Sequence, residues 1–191
     1  MNENDFLSKS DKEFLLRLAR HSIEEFAGLD SQKPPFPDSV ALTGKMGAFV
    51  TLHKMGRLRG CIGFIEGEKP LWKTVKEAAV LAASEDPRFS PVRLNELDDI
   101  ELEISVLSVP EPCNSYDEIE LGKHGLIMRK GYYRGLLLPQ VPVEHNMNKD
   151  EYLTAICEKS GAPGDLWKRE KLNLLKFTAL VFSEKEVLHE S

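Results

Sequence analysis

Phe14, Leu18, Ser22 and Phe26, flanked by Leu15 and Ala19, recur at the three-to-four-residue spacing of one helix face, up to Gly28. Ser10 with Glu13 three residues on is a capping-box pattern, so the spacing predicts a helix from about Asp11 to Ala27. Pro34, Pro35 and Pro37 forbid regular helix and predict a surface loop leading to the first strand. From Gly47 to Ile65 short apolar runs flank Lys54-Met55-Gly56-Arg57, which predicts a hairpin. With Met55-Gly56 as a two-residue turn, His53 lies opposite Leu58 and Cys61 opposite Val50, so His53 and Cys61 point to opposite faces.

Pro70 at a first helical position, then Leu71, Val75, Ala78, Ala79 and Ala82, predict a helix that ends before Pro87 and packs closely on the sheet through alanines. Between Asp99 and Leu107, Ile100, Leu102, Ile104 and Val106 alternate with Glu101, Glu103 and Ser105, the period of a strand with one apolar and one polar face. Leu126–Lys130 and Tyr132–Leu138 flank Gly131 as a second hairpin. Asn148 with Glu151 caps a helix through Leu153, Ile156 and Cys157 that stops at Gly161, and Leu172 to Phe182 reads as one last long strand. Two-faced strands favour antiparallel pairing, so the predicted class is α+β, a mainly antiparallel sheet flanked by helices.

A chain of 191 residues, 41% of them hydrophobic, can bury a real core and reads as one domain spanning 1–191 with its core at about 14–182, with room for a small second lobe. The 25 Lys and Arg against 31 Asp and Glu give a net charge of -6, which favours solubility and opposes the broad basic footprint of phosphate-backbone binding. The polar, acidic start has no signal-peptide pattern, and no apolar run approaches the ~18 residues of a spanning helix. Three widely separated cysteines, Cys61, Cys113 and Cys157, suit a thiol-reduced, cytoplasmic setting better than a disulfide framework. The five histidines show no metal-ligand spacing, so neither a metal nor a cofactor is expected.

Against this background Leu58-Arg59-Gly60-Cys61-Ile62-Gly63 stands out, because it sets a guanidinium, a thiol and two glycines inside an apolar strand. Glycine in a strand marks a bulge or a close approach by a ligand or by other backbone. In a regular strand Arg59 and Cys61 share a face, where the guanidinium could stabilise a thiolate nucleophile. The competing reading makes Cys61 a small core residue, since free cysteine is among the most buried residue types. His124, just before a strand, is the candidate base, although an isolated histidine is more often structural. Asp86-Pro87-Arg88-Phe89, the Glu101 and Glu103 face, and Gln140 are further candidates to line the same place. Arg88 is the most site-like, a guanidinium on a constrained loop suited to a carboxylate or phosphate. Each has a structural alternative: a helix stop, a solvated face, a satisfied loop amide.

Taken in order, Gly47-Ala48-Phe49-Val50-Thr51-Leu52, Leu58-Arg59-Gly60-Cys61-Ile62-Gly63, Asp86-Pro87-Arg88-Phe89, Lys123-His124-Gly125 and Leu137-Leu138-Pro139-Gln140-Val141 resemble the AMMECR domain family, from Phe14 to Phe182. The resemblance implies an α+β fold with a larger subdomain built on an antiparallel sheet flanked by helices, a smaller subdomain, and a cleft near the six-residue signature. It implies no settled reaction, and it implies a pathway link to Memo-like and radical-SAM proteins. After Val141, Pro142-Val143-Glu144-His145-Asn146-Met147 departs from the Ala- and Trp-containing stretch of many relatives.

The leading functional expectation is a cleft that binds a small anionic substrate through Arg59, Arg88, Gln140 and the amides exposed at Gly60 and Gly63. Cys61 as nucleophile and His124 as base would make it a cysteine-dependent transferase or hydrolase. The alternative is a non-catalytic module that binds a partner protein. Nucleic-acid association, resting on Lys123, Arg129, Lys130 and Arg134 around Tyr132 and Tyr133, is disfavoured by the net charge.

Overall fold

A computed structural model describes residues 6–188. Along the chain lie α1 (Lys9–Phe26), β1 (Ala48–Lys54), β2 (Arg57–Phe64), α2 (Leu71–Ser84), β3 (Ile100–Leu107), β4 (Glu111–Pro112), β5 (Gly125–Lys130), β6 (Tyr133–Leu137), α3 (Val141–Glu144), α4 (Lys149–Lys159), α5 (Leu166–Arg169), β7 (Leu174–Phe177), β8 (Ala179–Ser183) and α6 (Glu184–Leu188). They form two compact units: one runs as far as Val106 and resumes at Leu180, and the other is Leu107–Ala179. The fold is α+β, with antiparallel pairing between β1 and its two neighbours, between β5 and its two neighbours, and between β4 and β7.

The first unit contains a four-stranded sheet in the order β2-β1-β3-β8. Its apolar face carries Val50, Leu52, Leu102 and Ile104, all fully buried against Leu15, Leu18 and Ile23 of α1 and Val75, Ala78 and Ala79 of α2. The alternation seen in β3 marks burial from Ile100 to Ile104, as expected, while Ser105 on the polar face is buried as well. Helix α1 begins two residues earlier than the spacing predicts, because Ser8 rather than Ser10 is its cap. Ser8 Oγ accepts the Asp11 N–H at 3.1 Å, and the Asp11 carboxylate accepts the Ser8 N–H at 2.9 Å. Starting there puts buried Leu7 immediately before the cap. Pro70 likewise sits at the cap of α2 instead of inside its first turn.

The β1–β2 hairpin has the expected turn, with positive φ at Met55 and Gly56. The register beyond it corrects the sequence reading. His53 does face Leu58, but Leu52 faces Gly60, so Arg59 is an extra residue in a bulge and Cys61 faces Thr51, not Val50. His53 and Cys61 thus share the face turned away from the core, and Arg59 and Cys61 are not related by a regular strand repeat. Another correction concerns the last predicted strand. Leu172–Phe182 is broken at Thr178 into β7 and β8, which belong to different sheets. Thr178 leaves the ladder because its N–H donates to Ser108 Oγ and its carbonyl accepts the Ser108 N–H, both at 2.9 Å.

The second unit holds the sheet β4-β7-β5-β6, on which α4 packs Tyr152, Leu153, Ile156 and Cys157 against Leu126, Met128 and Leu174. Both predicted devices are present: Gly131 turns the β5–β6 hairpin at positive φ, and Asn148 with Glu151 forms the capping box of α4. The short helices α3, α5 and α6 had no counterpart in the sequence reading. Among the described residues no helix is long and apolar enough to cross a membrane.

Candidate functional site

The outward face of the first sheet carries polar groups in rows across three strands. Cys61, Thr51 and Glu103 form one row, Leu58, His53 and Glu101 the next, and Gly63, Phe49 and Ser105 the one beyond. Thr51 Oγ1 donates to Cys61 Sγ at 3.3 Å. Because β2 is an edge strand, the Cys61 N–H points away from β1 and needs a partner from elsewhere. Asp86, just past the end of α2, supplies it: its Oδ2 accepts that N–H at 2.8 Å.

Asp86 does more than close an edge. Its carboxylate also accepts the Arg88 backbone N–H at 3.1 Å, Arg88 Nε at 2.9 Å and Arg88 Nη2 at 2.7 Å. The Arg88 guanidinium beside it therefore holds the Asp86 carboxyl far below the usual carboxylate range, even though burial opposes ionisation. The carboxylate is only 3% exposed while the Arg88 side chain is 54% exposed, so a fixed buried anion presents a guanidinium at the surface. Arg88 Cζ lies 5.5 Å from the centroid of the Phe89 ring.

Arg59 belongs to a different pairing. It grips Glu96 with Nε at 3.2 Å and Nη2 at 3.0 Å, and Lys54 Nζ reaches the same carboxylate at 3.1 Å. Chiefly through Arg59, the Glu96 carboxyl is pulled down to about 2. Phe89 joins the two guanidinium systems, with Arg59 Cζ 5.9 Å from its centroid.

Cys61 is half-buried, and burial pushes its thiol above the ordinary value; the Thr51 hydrogen bond and the charge of Arg88 pull the other way, while Asp86 and Glu103 add to the rise. The guanidinium that acts on the thiol is thus Arg88, where the sequence reading assigned Arg59. The two signature glycines are accounted for by backbone approach. A Cβ on Gly60 would stand 2.3 Å from the Ala82 carbonyl oxygen of α2, and one on Gly63 would stand 2.3 Å from the Ala48 carbonyl oxygen and 2.5 Å from Phe49.

His124 and Gln140 lie in the second unit. The Nδ1 of His124 accepts the Glu120 backbone N–H at 3.1 Å, and the His124 backbone N–H donates to the Glu120 carbonyl at 3.0 Å, so residue and ring together close a turn. Burial lowers its pKa, which favours the neutral ring. Gln140 is half-buried beside α3, and its Oε1 is enclosed without a hydrogen-bond partner. In the basic stretch of the second hairpin, Lys130 is paired with Glu170 and Tyr132 is fully exposed. No group of three or more His, Cys, Asp or Glu among the described residues is arranged to hold a metal ion.

Sequence reasoning named Arg59, Arg88, Cys61 and Glu103 but missed Thr51 as the partner of Cys61 and Glu96 as the partner of Arg59. Nothing in local spacing ties Glu96 to Arg59, 37 residues away. Thr51 was misplaced by the unforeseen bulge.

The sequence pattern of the AMMECR1 family matches residues 16–182. Protein PH0010 of Pyrococcus horikoshii is 44% identical over 184 residues, covering 91% of this chain and 89% of its own length. Protein MJ0810 of Methanocaldococcus jannaschii is 42% identical over 189 residues, covering 94% and 93%. The crystal structure of the uncharacterised PH0010 superposes with a TM-score of 0.83 at 43% identity over 92% of each chain. Agreement in pattern, identity and fold over nearly the whole length is more than a shared architecture requires, and the chain belongs to the AMMECR1 family.

Proposed function

We propose that the outward face of the first sheet is a non-covalent recognition site for a small anionic group, a carboxylate or phosphate, read by Arg88 beside the neutral thiol of Cys61. The observation that carries this reading is the exposed guanidinium held by a buried carboxylate. Arginine has five N–H donors. Asp86 occupies one on Nε and one on Nη2, which leaves the Nη1 pair and one Nη2 proton to meet a planar or tetrahedral oxyanion. Fixing the side chain in advance removes much of the rotamer cost of binding. A thiol raised by burial is a weak nucleophile at neutral pH, so the reading includes no covalent step.

Titration with inorganic phosphate and with malonate, followed on the Arg88 side-chain Nε and Cys61 amide resonances, tests it. Saturable shifts at both positions, lost in Arg88→Gln, are expected. Shifts that persist in Arg88→Gln, or none at millimolar anion, overturn the proposal.

A further inference from the structure

The outer side of α2 offers a second surface, to which Arg88 does not contribute. While Leu71, Val75, Ala78, Ala79 and Ala82 are buried in the core, Trp72, Val80 and Leu81 are only half-buried and floor an open groove of about 690 Å3. Its aromatic wall is held in place: Phe36 meets Trp72 edge-on at 5.5 Å, and Phe36 in turn rests on Phe14 at 5.0 Å. The Pro34–Pro37 loop thus serves to fix one side of the groove.

The rim of this groove is mixed in charge: Lys69, Lys73 and Lys76 stand against Glu68 and Glu77, one positive charge net. The chain as a whole carries 31 acidic against 25 basic residues, so even this small excess is opposite in sign to the rest. Lys69 is paired with Glu77. Lys73 lies 5.3 Å over the Trp72 ring, and neither it nor Lys76 has a carboxylate partner among the described residues. Lys73 and Lys76 lie about one helical turn, roughly 5 Å, apart along α2.

We infer that this groove docks an acidic amphipathic helix of a partner protein. Apolar side chains at helical spacing would fill the floor between Trp72 and Leu81, and carboxylates one turn apart on the same helix would meet Lys73 and Lys76. Glu68 and Glu77 on the same rim would be repelled by an anionic bilayer, whereas a helix can set its carboxylates at Lys73 and Lys76 alone. The inference is independent of anion recognition at Arg88.

The probe is a fluorescein-labelled synthetic helix with leucines on one face and glutamates flanking them, compared with the same peptide carrying lysines for glutamates and with vesicles containing phosphatidylserine. Anisotropy with the full chain should show saturable, salt-sensitive binding of the acidic peptide alone, weakened about tenfold by Lys73→Glu with Lys76→Glu. Both side chains lie outside the core, so circular dichroism should be unchanged. In the Trp167→Phe chain, where Trp72 is the only tryptophan left of two, its emission should shift to the blue on binding. Equal binding of the basic peptide, an unchanged affinity in the double variant, or a Trp72 shift produced by vesicles and not by the peptide would overturn the inference. So would a concentration-dependent dimer in sedimentation that the double variant abolishes, since the occupant would then be a second copy.

Discussion

At Cys61 three forces compete over one proton. Burial favours the thiol; the Thr51 hydroxyl and the Arg88 guanidinium favour the thiolate; Asp86 and Glu103 oppose it again. The sum lies on the side of the thiol. Iodoacetamide should therefore label Cys61 more slowly at neutral pH than a free cysteine of pKa about 8.5, with the rate still climbing above that pH. Faster labelling than the free amino acid would show that the charges win and would reopen a nucleophilic role. The oddity of a thiol and a guanidinium in an apolar strand was legible from the sequence, and so was an arginine on the constrained loop after Pro87. Which guanidinium serves the thiol was not, because that depends on a bulge and on a side chain that folds back onto Asp86 from two residues away.

The elements repeat this division between local and distant causes. The strand alternation of β3, the Met55-Gly56 turn and the Asn148–Glu151 cap are written within a few residues and were read correctly. The bulge at Arg59 and the break at Thr178 answer to partners far along the chain, Glu96 and Ser108, and leave no local signature. Gly60 shows the same dependence at the contact between β2 and α2. With 2.3 Å from a would-be Cβ to the Ala82 carbonyl oxygen, Gly60→Ala must push helix and strand apart. We expect a loss of about 2–4 kcal/mol in urea unfolding. Gly56→Ala, at a turn position with open space but positive φ, should cost only about 1 kcal/mol. Similar losses for the two would mean that α2 yields freely and that the close approach is not what selects glycine at position 60.

For the molecule as a whole, two depressed carboxyls set the acid limit of stability. Glu96 falls from 4.5 to about 2 chiefly through Arg59, and Asp86 is held below its ordinary 3.8 chiefly by Arg88. A carboxyl depressed in the folded state contributes stability that is fully present above its unfolded value and is lost as pH falls toward the folded one. The midpoint in urea should thus fall steeply below pH 4.5, the ordinary value for Glu96. Glu96→Gln should cost about 1–2 kcal/mol at neutral pH and flatten the acid limb. An acid limb as steep in the variant as in the parent would place the sensitivity elsewhere.

The division of the chain at Val106 and Leu180 also bears on how the molecule is made. The second unit is one continuous stretch, complete once the ribosome has passed Ala179. The first is not: β8, the neighbour of β3, is made only after that whole excursion. Until then β3 is a bare edge, with unpaired amides ready to accept any strand that arrives. During synthesis the order of completion is therefore the reverse of the order of commencement. The half of the protein begun first waits longest, and its exposed sheet edge is the point at which a nascent chain is open to mispairing or to a chaperone's hold.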